Sequence, residues 1–258
     1  MLLVIDIGNT NTVVGVYHGD ALEAHWRIQT AHGRTSDELR ILIRGLLEDD
    51  GLELGDVQGI CISSVVPPLN DAFISVARET FRVEPIMVEP GVKTGVKLHN
   101  ENPKELGADR LVNCVGALEE RDGPLIVVDF GTATTFDFVT KDREYKGGII
   151  VPGIQLAADA LFERCAKLPR VEIAIPDRVI GRDTVTNIRS GLTYGYADLV
   201  DGLIRRMREE AEADATVVAT GGLAPVIAEA AHGIDVVDPY LTLKGLRAIH
   251  ERNAKVAT

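Results

Sequence analysis

The hydrophobic pattern of the N-terminal part predicts strands first and a helix afterwards. Runs of aliphatic or β-branched residues, separated by small polar residues, predict strands at residues 2–5, 12–17 and 21–28. The Gly19-Asp20 pair between the last two runs is typical of a hairpin turn. Ser36 and Glu38 then precede apolar residues spaced three and four apart, which predicts a capped amphipathic helix. The chain is therefore expected to begin as an antiparallel sheet followed by a helix.

The alternation of strands and helices continues towards the middle of the chain. The pattern predicts a strand at 58–66, a helix at 70–81, a loop rich in Gly and Pro at 89–103 and a helix at 108–118. Arg121-Asp122-Gly123-Pro124 then interrupts it. We therefore predict a domain boundary at this break, with one domain at residues 1–120 and a second at residues 121–258.

The first strand and its polar turn recur immediately after this boundary. Residues 125–135, LIVVDFGTATT, align with residues 2–12, LLVIDIGNTNT, without a gap. Each copy is an aliphatic run, an Asp, one apolar residue, a Gly and then small polar residues. A single copy is typical of an ordinary tight turn, but two copies that each begin one half of the chain indicate a duplication.

The residue types in this repeated unit suit a bound phosphate. Gly8 and Gly131 permit a positive φ and a close approach of the backbone to a ligand, and the neighbouring N–H, Asn and Thr groups can donate to phosphate oxygens. A carboxylate beside a phosphate requires a cation between them, and Mg²⁺ is usually held by one or two carboxylates, phosphates and water. Asp6 is therefore predicted to bind Mg²⁺, and the Gly221-Gly222 turn to offer a flat surface for a base or ribose.

The motifs and composition exclude several other kinds of site. The chain has neither GxxxxGK[ST] nor GxGxxG, so neither a P-loop nor a dinucleotide-binding turn is predicted. A net charge of -12 disfavours nucleic acid as a partner. The three cysteines have no metal-site spacing and are typical of buried residues in a reducing compartment. Because no apolar run reaches the length of a membrane span, we expect a cytoplasmic protein.

Several separate motifs resemble those of one family. Facing aspartate-glycine turns are typical of the superfamily of acetate and sugar kinases, Hsp70 and actin. Within it, the chain is similar to the type III pantothenate kinases in the motifs DIGNTNT, GADR at 107–110, DFGTATTFD, KGGIIVPG, AKLPRVE and TGG at 220–222. The resemblance implies an α/β fold of two duplicated ribonuclease H-like (actin-like ATPase) domains, with mixed sheets flanked by helices and an ATP cleft between them.

The resemblance also implies roles for individual residues. ATP contacts are implied for Asp6, Gly8, Asn9, Thr10, Asn11, Thr12, Val13 and Thr132. Asp109 is implied as the general base, and pantothenate contacts are implied for Asn100, Gly107, Ala108, Asp109, Arg110 and Thr184. Asp129 corresponds to the ligand of a monovalent cation, K⁺ or NH₄⁺, and Thr184 meets the substrate across a homodimer interface in the family. Asn100 departs from the pattern, because similar sequences commonly have a Tyr there.

Three functional hypotheses follow. The first is an ATP- and Mg²⁺-dependent pantothenate kinase that makes 4'-phosphopantothenate in the first step of coenzyme A biosynthesis. The second is a kinase of another small alcohol in the same superfamily, which Asn100 favours. The third is a non-catalytic ATP-binding regulator. Retention of Asp6, Asp109, Arg110 and Asp129 favours a kinase, because a regulator does not need the base.

Overall fold

A computed structural model of the chain describes residues 1–99, 101–102 and 105–254. The chain forms two compact units. Unit 1 contains Met1–Val96, Asn102–Glu119 and the chain from Leu241 onward, and unit 2 contains Lys97–Glu101 and Glu120–Tyr240. Asn100, a predicted substrate contact, lies outside the described residues.

The helices and strands alternate along the chain. In order, they are β1 (Leu2–Ile7), β2 (Asn11–His18), β3 (Ala21–Gln29), α1 (Ser36–Asp49), β4 (Gly59–Ser64), α2 (Pro67–Val76), β5 (Ile86–Met87), β6 (Lys97–Leu98), α3 (Ala108–Glu120), β7 (Leu125–Phe130), β8 (Ala133–Val139), β9 (Glu144–Pro152), α4 (Ile154–Arg164), α5 (Thr184–Ala211), β10 (Thr216–Thr220), α6 (Ala224–Ala228), β11 (Val236–Val237) and α7 (Leu241–Ala254). Single turns of other helix types lie at Leu54–Asp56 and Ala77–Phe81.

The sheet of unit 1 has the strand order β3-β2-β1-β4-β5. The first three strands are antiparallel, and β4 and β5 run parallel to β1. The predicted antiparallel start is therefore confirmed, and Gly19 forms the hairpin turn with φ +58°. One face of the sheet packs its alternate aliphatic residues, such as Ile5, Ile7 and Ile62, against the buried stripes of α1 and α2.

The opposite face of this sheet is covered by α7. Helix α7 packs against β1, β2 and β4, and a Cβ atom added at Gly15 of β2 would lie 2.9 Å from Leu243 Cδ1. Helix α3 lies directly on α7, because a Cβ at Gly116 would lie 2.3 Å from Leu241 O and a Cβ at Gly245 only 2.0 Å from Val112 O. These glycines let the two backbones touch, so the C-terminal helix belongs to unit 1.

The sheet of unit 2 repeats the order of the first. Its order is β11-β10-β7-β8-β9-β6, in which β7 to β11 take the places of β1 to β5 and β6 is added beside β9. The pairings agree in direction as well, since β7, β8 and β9 are antiparallel while β10 and β11 are parallel to β7. The predicted duplication and the mixed sheets flanked by helices are thus confirmed.

The core of unit 2 lies between its sheet and the helices α4, α5 and α6. Apolar residues of β7 and β10 pack against Leu192, Val200 and Ile204 of the long helix α5 and against Ile154 of α4. Tyr196 of α5 also donates a hydrogen bond to Pro152 O at the end of β9, at 2.9 Å. The start of α4 is therefore held against α5.

The observed boundaries differ from several predictions, among them the helix predicted at 70–81, where α2 spans Pro67–Val76. The first helix is capped by Thr35, whose side chain and that of Glu38 form a capping box, rather than by Ser36. The strand predicted at 58–66 ends at Ser64, and the two prolines after it begin α2, where their missing N–H groups cost nothing. The predicted second domain, residues 121–258, differs from the observed grouping because α7 packs on the sheet of unit 1.

Candidate active site

The turn after β1 presents polar groups at the carboxyl end of the strand. Ile7 pairs with Thr12, so the turn consists of Gly8, Asn9, Thr10 and Asn11. The last three are exposed, and Gly8 N donates to Asn11 O at 3.1 Å. Gly8 does not have the positive φ that the sequence suggested; glycine is needed there because a Cβ would lie 2.9 Å from Asn11 O.

The residue after β3 holds this turn in place. Thr30 donates its backbone N–H to Thr10 O at 3.0 Å and its hydroxyl to Gly8 O at 2.7 Å. Its hydroxyl oxygen also lies 2.9 Å from Thr12 Oγ1. Sequence reasoning missed Thr30, although its position directly after the third strand is a signal that could have found it.

Thr12 and Val13 lie inside the strand rather than in the exposed turn. Thr12 is only 1% exposed, and its hydroxyl points to Thr30. Val13 is half-buried and pairs with Asp6. Both residues, for which ATP contacts are implied, therefore lie behind the exposed turn. There the Thr12 hydroxyl supports the geometry of the turn through Thr30.

Asp109 is the second residue of α3 and lies at the same end of the sheet as the turn after β1. Val65, which follows β4, donates its N–H to Ile7 O at 3.0 Å, and a Cβ at Gly107 would lie 3.7 Å from Val65 Cγ1. Through Val65, the GADR segment therefore adjoins the end of β1. Unit 1 brings together the aspartate-glycine turn and the implied base.

The environment of Asp109 makes its carboxylate more basic. Burial raises the pKa of the Asp109 carboxyl above its ordinary value, while the Arg110 backbone N–H, which donates to Oδ1 at 2.8 Å, and the Arg110 charge oppose part of that rise. The side chain folds back over Gly107, where a Cβ would lie 2.5 Å from Asp109 Oδ1. A half-buried carboxylate with a raised pKa is typical of a proton acceptor at a functional site. Ala108 and Arg110, which flank it, are also half-buried.

The corresponding turn of unit 2 is one residue shorter. Phe130 pairs with Thr134, which leaves Gly131, Thr132 and Ala133 in the turn. By this pairing Thr134, rather than Thr135 as in the ungapped alignment, corresponds to Thr12, and both are buried. Gly131, like Gly8, lacks the positive φ that the sequence suggested, while Thr132 is exposed as a ligand contact requires.

Two glycines pack directly against this second turn. Gly221, with φ +93°, lies so close that a Cβ would meet both Asp129 Oδ1 and Phe130 O at 2.6 Å. Gly153, the residue before α4, lies so close that a Cβ would meet Thr132 O at 2.2 Å. The predicted flat Gly221-Gly222 surface thus adjoins Asp129. The contact of Gly153 was not predicted, although the residue ends the KGGIIVPG motif.

Thr184 lies away from the turn of unit 2. It is the exposed first residue of α5, which Asp183 caps by accepting from Thr186 N at 2.9 Å. Tyr196 of the same helix contacts Pro152 beside the turn. Because Thr184 lies twelve residues before Tyr196, the two are separated by about 18 Å along the helix. Unit 2 therefore does not bring Thr184 to Thr132 and Asp129.

The described residues contain no cage of protein ligands for a metal. Within 1–99, 101–102 and 105–254, no group of three or more His, Cys, Asp or Glu side chains could hold an ion. Cys61 is fully buried, and burial raises the pKa of its thiol to about 12, so it stays protonated. A single carboxylate at the end of the strand before each turn fits a cation that keeps several waters and is completed by nucleotide phosphates. None of the helices within those residues has both the length and the apolar character to cross a bilayer.

The sequence matches a known family over most of its length. The family model for type III pantothenate kinase matches residues 2–206. A type III pantothenate kinase from Bacillus cytotoxicus is 49% identical over 98% of this chain and 97% of its own.

Solved structures of other proteins share the fold at low identity. The activator of the 2-hydroxyisocaproyl-CoA dehydratase from Clostridium difficile aligns with a TM-score of 0.61 and 13% identity over 99% of this chain and 96% of its own. Component A of the (R)-2-hydroxyglutaryl-CoA dehydratase from Acidaminococcus fermentans aligns with a TM-score of 0.59 and 17% identity, over 99% and 98%. The two duplicated sheets are thus an actin-like ATPase fold, and the chain belongs to the type III pantothenate kinase family, whose enzymes phosphorylate pantothenate with ATP in coenzyme A biosynthesis.

Proposed function

We propose that Asp109 is the general base with which this kinase forms 4'-phosphopantothenate from pantothenate and ATP. The observation that supports this proposal is the position of Asp109 at the start of α3, half-buried and beside the end of β1. Burial raises the pKa of its carboxyl, so the carboxylate accepts a proton more readily than an exposed aspartate would. The hydrogen bond from Arg110 N fixes its orientation.

Phosphoryl transfer makes limited demands on such a base. The transition state is loose, so the enzyme mainly aligns the attacking hydroxyl and balances charge on the transferred group. Asp109 would orient the primary alcohol of pantothenate and accept its proton late in the transfer. Arg110 would contribute the positive charge, which a guanidinium can present through two parallel hydrogen bonds.

The two turns supply the groups for the nucleotide and its cations. The family uses ATP with a divalent metal; we infer that the metal is Mg²⁺, held near Asp6, and that a monovalent cation, K⁺ or NH₄⁺, is held near Asp129. The exposed Asn9, Thr10 and Asn11 would donate to phosphate oxygens, as would Thr132. A bound cation neutralises the carboxylate beside a phosphate. A cytoplasmic location agrees with these substrates and stays a prediction.

We infer that a second copy of the chain completes the substrate site with Thr184. Unit 2 places Thr184 about 18 Å along α5 from the residue that contacts its own turn. Apolar side chains near it, Val179 and Ile180, are 64% and 84% exposed. A homodimer would cover them. Light scattering during size-exclusion chromatography should give twice the chain mass, and a monomeric mass would contradict this inference.

Replacement of Asp109 by Asn tests the base. We expect Asp109→Asn to lower kcat by about 10²–10⁴-fold in a coupled assay of ADP release, because the amide accepts no proton. The affinity for ATP should be nearly unchanged. Asp37→Asn is a matched control, because Asp37 lies in the first turn of α1 but is exposed. Wild-type kcat in Asp109→Asn would remove this residue from the mechanism.

The same assay tests the acceptor and the monovalent cation. Pantothenate should support ADP release where other small alcohols do not, and exchange of K⁺ for Na⁺ should reduce the rate. Equal rates with an unrelated alcohol would instead favour a kinase of broader specificity.

A further inference from the structure

Ser63 is a buried hydroxyl that lies beside Asp6. It is the residue of β4 that pairs with Asp6 of β1, and the two strands are parallel. Residues in register on parallel strands project from the same face, and neighbouring strands lie about 4.8 Å apart. Ser63 is 0% exposed, and within residues 1–99, 101–102 and 105–254 its Oγ has no hydrogen-bond partner.

A buried hydroxyl that has no hydrogen-bond partner lowers the stability of the fold unless a ligand binds it. Leaving a buried donor unsatisfied costs about 1–3 kcal/mol, so an alanine or cysteine would serve better if the position only filled space. The neighbouring Ser64 shows the contrast, because its Oγ accepts a hydrogen bond from Val66 N at 3.1 Å and so shapes the turn into α2. The orphaned hydroxyl of Ser63 fits a polar ligand that approaches the Asp6 carboxylate.

The second unit repeats this pairing. Thr220 of β10 pairs with Asp129 of β7 on a parallel strand and is 2% exposed. The residues two positions earlier, Cys61 and Val218, are both apolar. Each aspartate therefore has a hydroxyl residue opposite it on the neighbouring parallel strand.

We propose that Ser63 is a positioning residue of the phosphate site, whose hydroxyl holds, together with the Asp6 carboxylate, the hydrated divalent cation that accompanies ATP. The proposal rests on the function proposed above for Asp6. Groups in the second coordination shell of a metal typically change its affinity 10–100-fold when they are removed. Loss of the Ser63 hydroxyl should therefore be seen in cation binding and not in the stability of the fold.

The test uses Mn²⁺ as a probe of the divalent site. Electron paramagnetic resonance of free Mn²⁺ gives its dissociation constant from the full-length enzyme with a non-hydrolysable ATP analogue. We expect Ser63→Ala to weaken Mn²⁺ binding about tenfold, because the cation loses one of the groups that hold its water. Ser63→Thr keeps a hydroxyl and should restore the affinity, since a buried threonine, Thr220, occupies the matching position of unit 2.

Two variants serve as controls. Ser64→Ala removes the neighbouring hydroxyl, and Thr80→Val removes another buried hydroxyl that has no hydrogen-bond partner among the described residues. Both should keep the wild-type affinity for Mn²⁺. Urea unfolding should show that Ser63→Ala is as stable as the wild type or more so, which separates cation binding from folding.

The outcomes distinguish this proposal from the function on which it rests. Unchanged Mn²⁺ affinity in Ser63→Ala, together with a large loss in Asp6→Asn, would overturn the role of Ser63 and leave that of Asp6 intact. Unchanged affinity in Asp6→Asn would overturn both, because Asp6 would then not hold the cation. A loss of affinity in Ser63→Ala that Ser63→Thr does not reverse would also contradict the role of the hydroxyl.

Discussion

The turn after β1 and the turn after β7 occupy the same place in two sheets of the same strand order, yet different interactions hold them. The first contains four residues between the paired Ile7 and Thr12, and the second contains three between Phe130 and Thr134. Each follows an aspartate and begins with a glycine whose N–H bonds back across the turn at 3.1 Å. The duplication has thus kept the position of the carboxylate and changed the loop around it.

The residue after the third strand differs most between the units. In unit 1 it is Thr30, whose hydroxyl and N–H bind the carbonyls of Gly8 and Thr10. In unit 2 it is Gly153, whose backbone lies against the carbonyls of Gly131 and Thr132, with no room for a side chain. The longer turn is held by side-chain hydrogen bonds and the shorter one by contact between backbones. Topology therefore preserves the position of a supporting residue without preserving its chemistry.

Replacing Asp6 and Asp129 separately by asparagine tests whether the two turns have different roles, and this test has the largest expected effect. We expect Asp6→Asn to lower kcat/KM by about 10²–10³-fold, because the divalent cation that balances charge on the transferred phosphoryl group loses the carboxylate that holds it. Asp129→Asn should mainly weaken activation by K⁺. Steady-state rates at varied Mg²⁺ and K⁺ measure both effects, with the exposed Asp122→Asn as control. The same response to both cations in both variants would contradict separate roles for the turns.

Adding a methyl group to the supporting glycine should destabilise unit 2. We expect Gly153→Ala to reduce the free energy of unfolding by about 1–3 kcal/mol, because its Cβ would lie 2.2 Å from a backbone carbonyl that cannot easily move. Gly8→Ala should cost less, since its Cβ would lie 2.9 Å from Asn11 O. Urea denaturation gives both values. Gly45→Ala in α1 is the control, because a Cβ there meets nothing within 4 Å and alanine favours a helix.

Removing the hydroxyl of Thr30 tests the support of the first turn. We expect Thr30→Val to lower the free energy of unfolding by about 1 kcal/mol, because Gly8 O loses a hydrogen bond. It should also raise the KM for ATP, since the exposed donors of the turn would be less well ordered. Thr30→Ser keeps the hydroxyl and should behave as the wild type. An unchanged KM in Thr30→Val would show that the turn keeps its shape without this hydrogen bond.

The smallest expected effect on stability comes from the raised pKa of the Asp109 carboxyl, and it is specific to that group. A carboxyl with a pKa above its unfolded value contributes stability that is complete at acid pH and is lost as the pH rises through its folded pKa. Ionised Asp109 therefore opposes folding at neutral pH, and Asp109→Asn should raise the free energy of unfolding at pH 7 while it lowers activity. The acid limb of the wild-type kcat/KM profile should lie above the ordinary range of aspartate. A less stable Asp109→Asn would contradict this account.

The sequence predicted the structural elements that are determined by residues close together in the chain. Runs of aliphatic or β-branched residues, the Gly19-Asp20 turn and the repeated aspartate-glycine unit indicated the first antiparallel strands and the duplication, and the sheets confirm both. The helix that carries Asp109 was predicted from residue 108, where the structure begins it. These features depend on neighbours in sequence, so they can be read without the rest of the chain.

Residues whose partners are distant in sequence were missed or misplaced. Ser63 lay within an apolar run predicted as an ordinary strand, and only its register with Asp6 singles it out. The ungapped alignment paired Thr135 with Thr12, because a turn shorter by one residue is not visible until the strands are paired. The C-terminal helix was assigned to the second domain, although the glycines of α3 and α7 let it pack in unit 1.

The order of residues in this chain alone determined that it has two related halves, each headed by a carboxylate before a polar turn, because alternation and repetition are properties of consecutive residues. Only the tertiary structure decided which side chains support those turns and that Asp109, at the start of α3, lies near the end of β1. Those choices depend on strand pairing and on how closely two backbones can approach, and both arise from residues far apart in sequence.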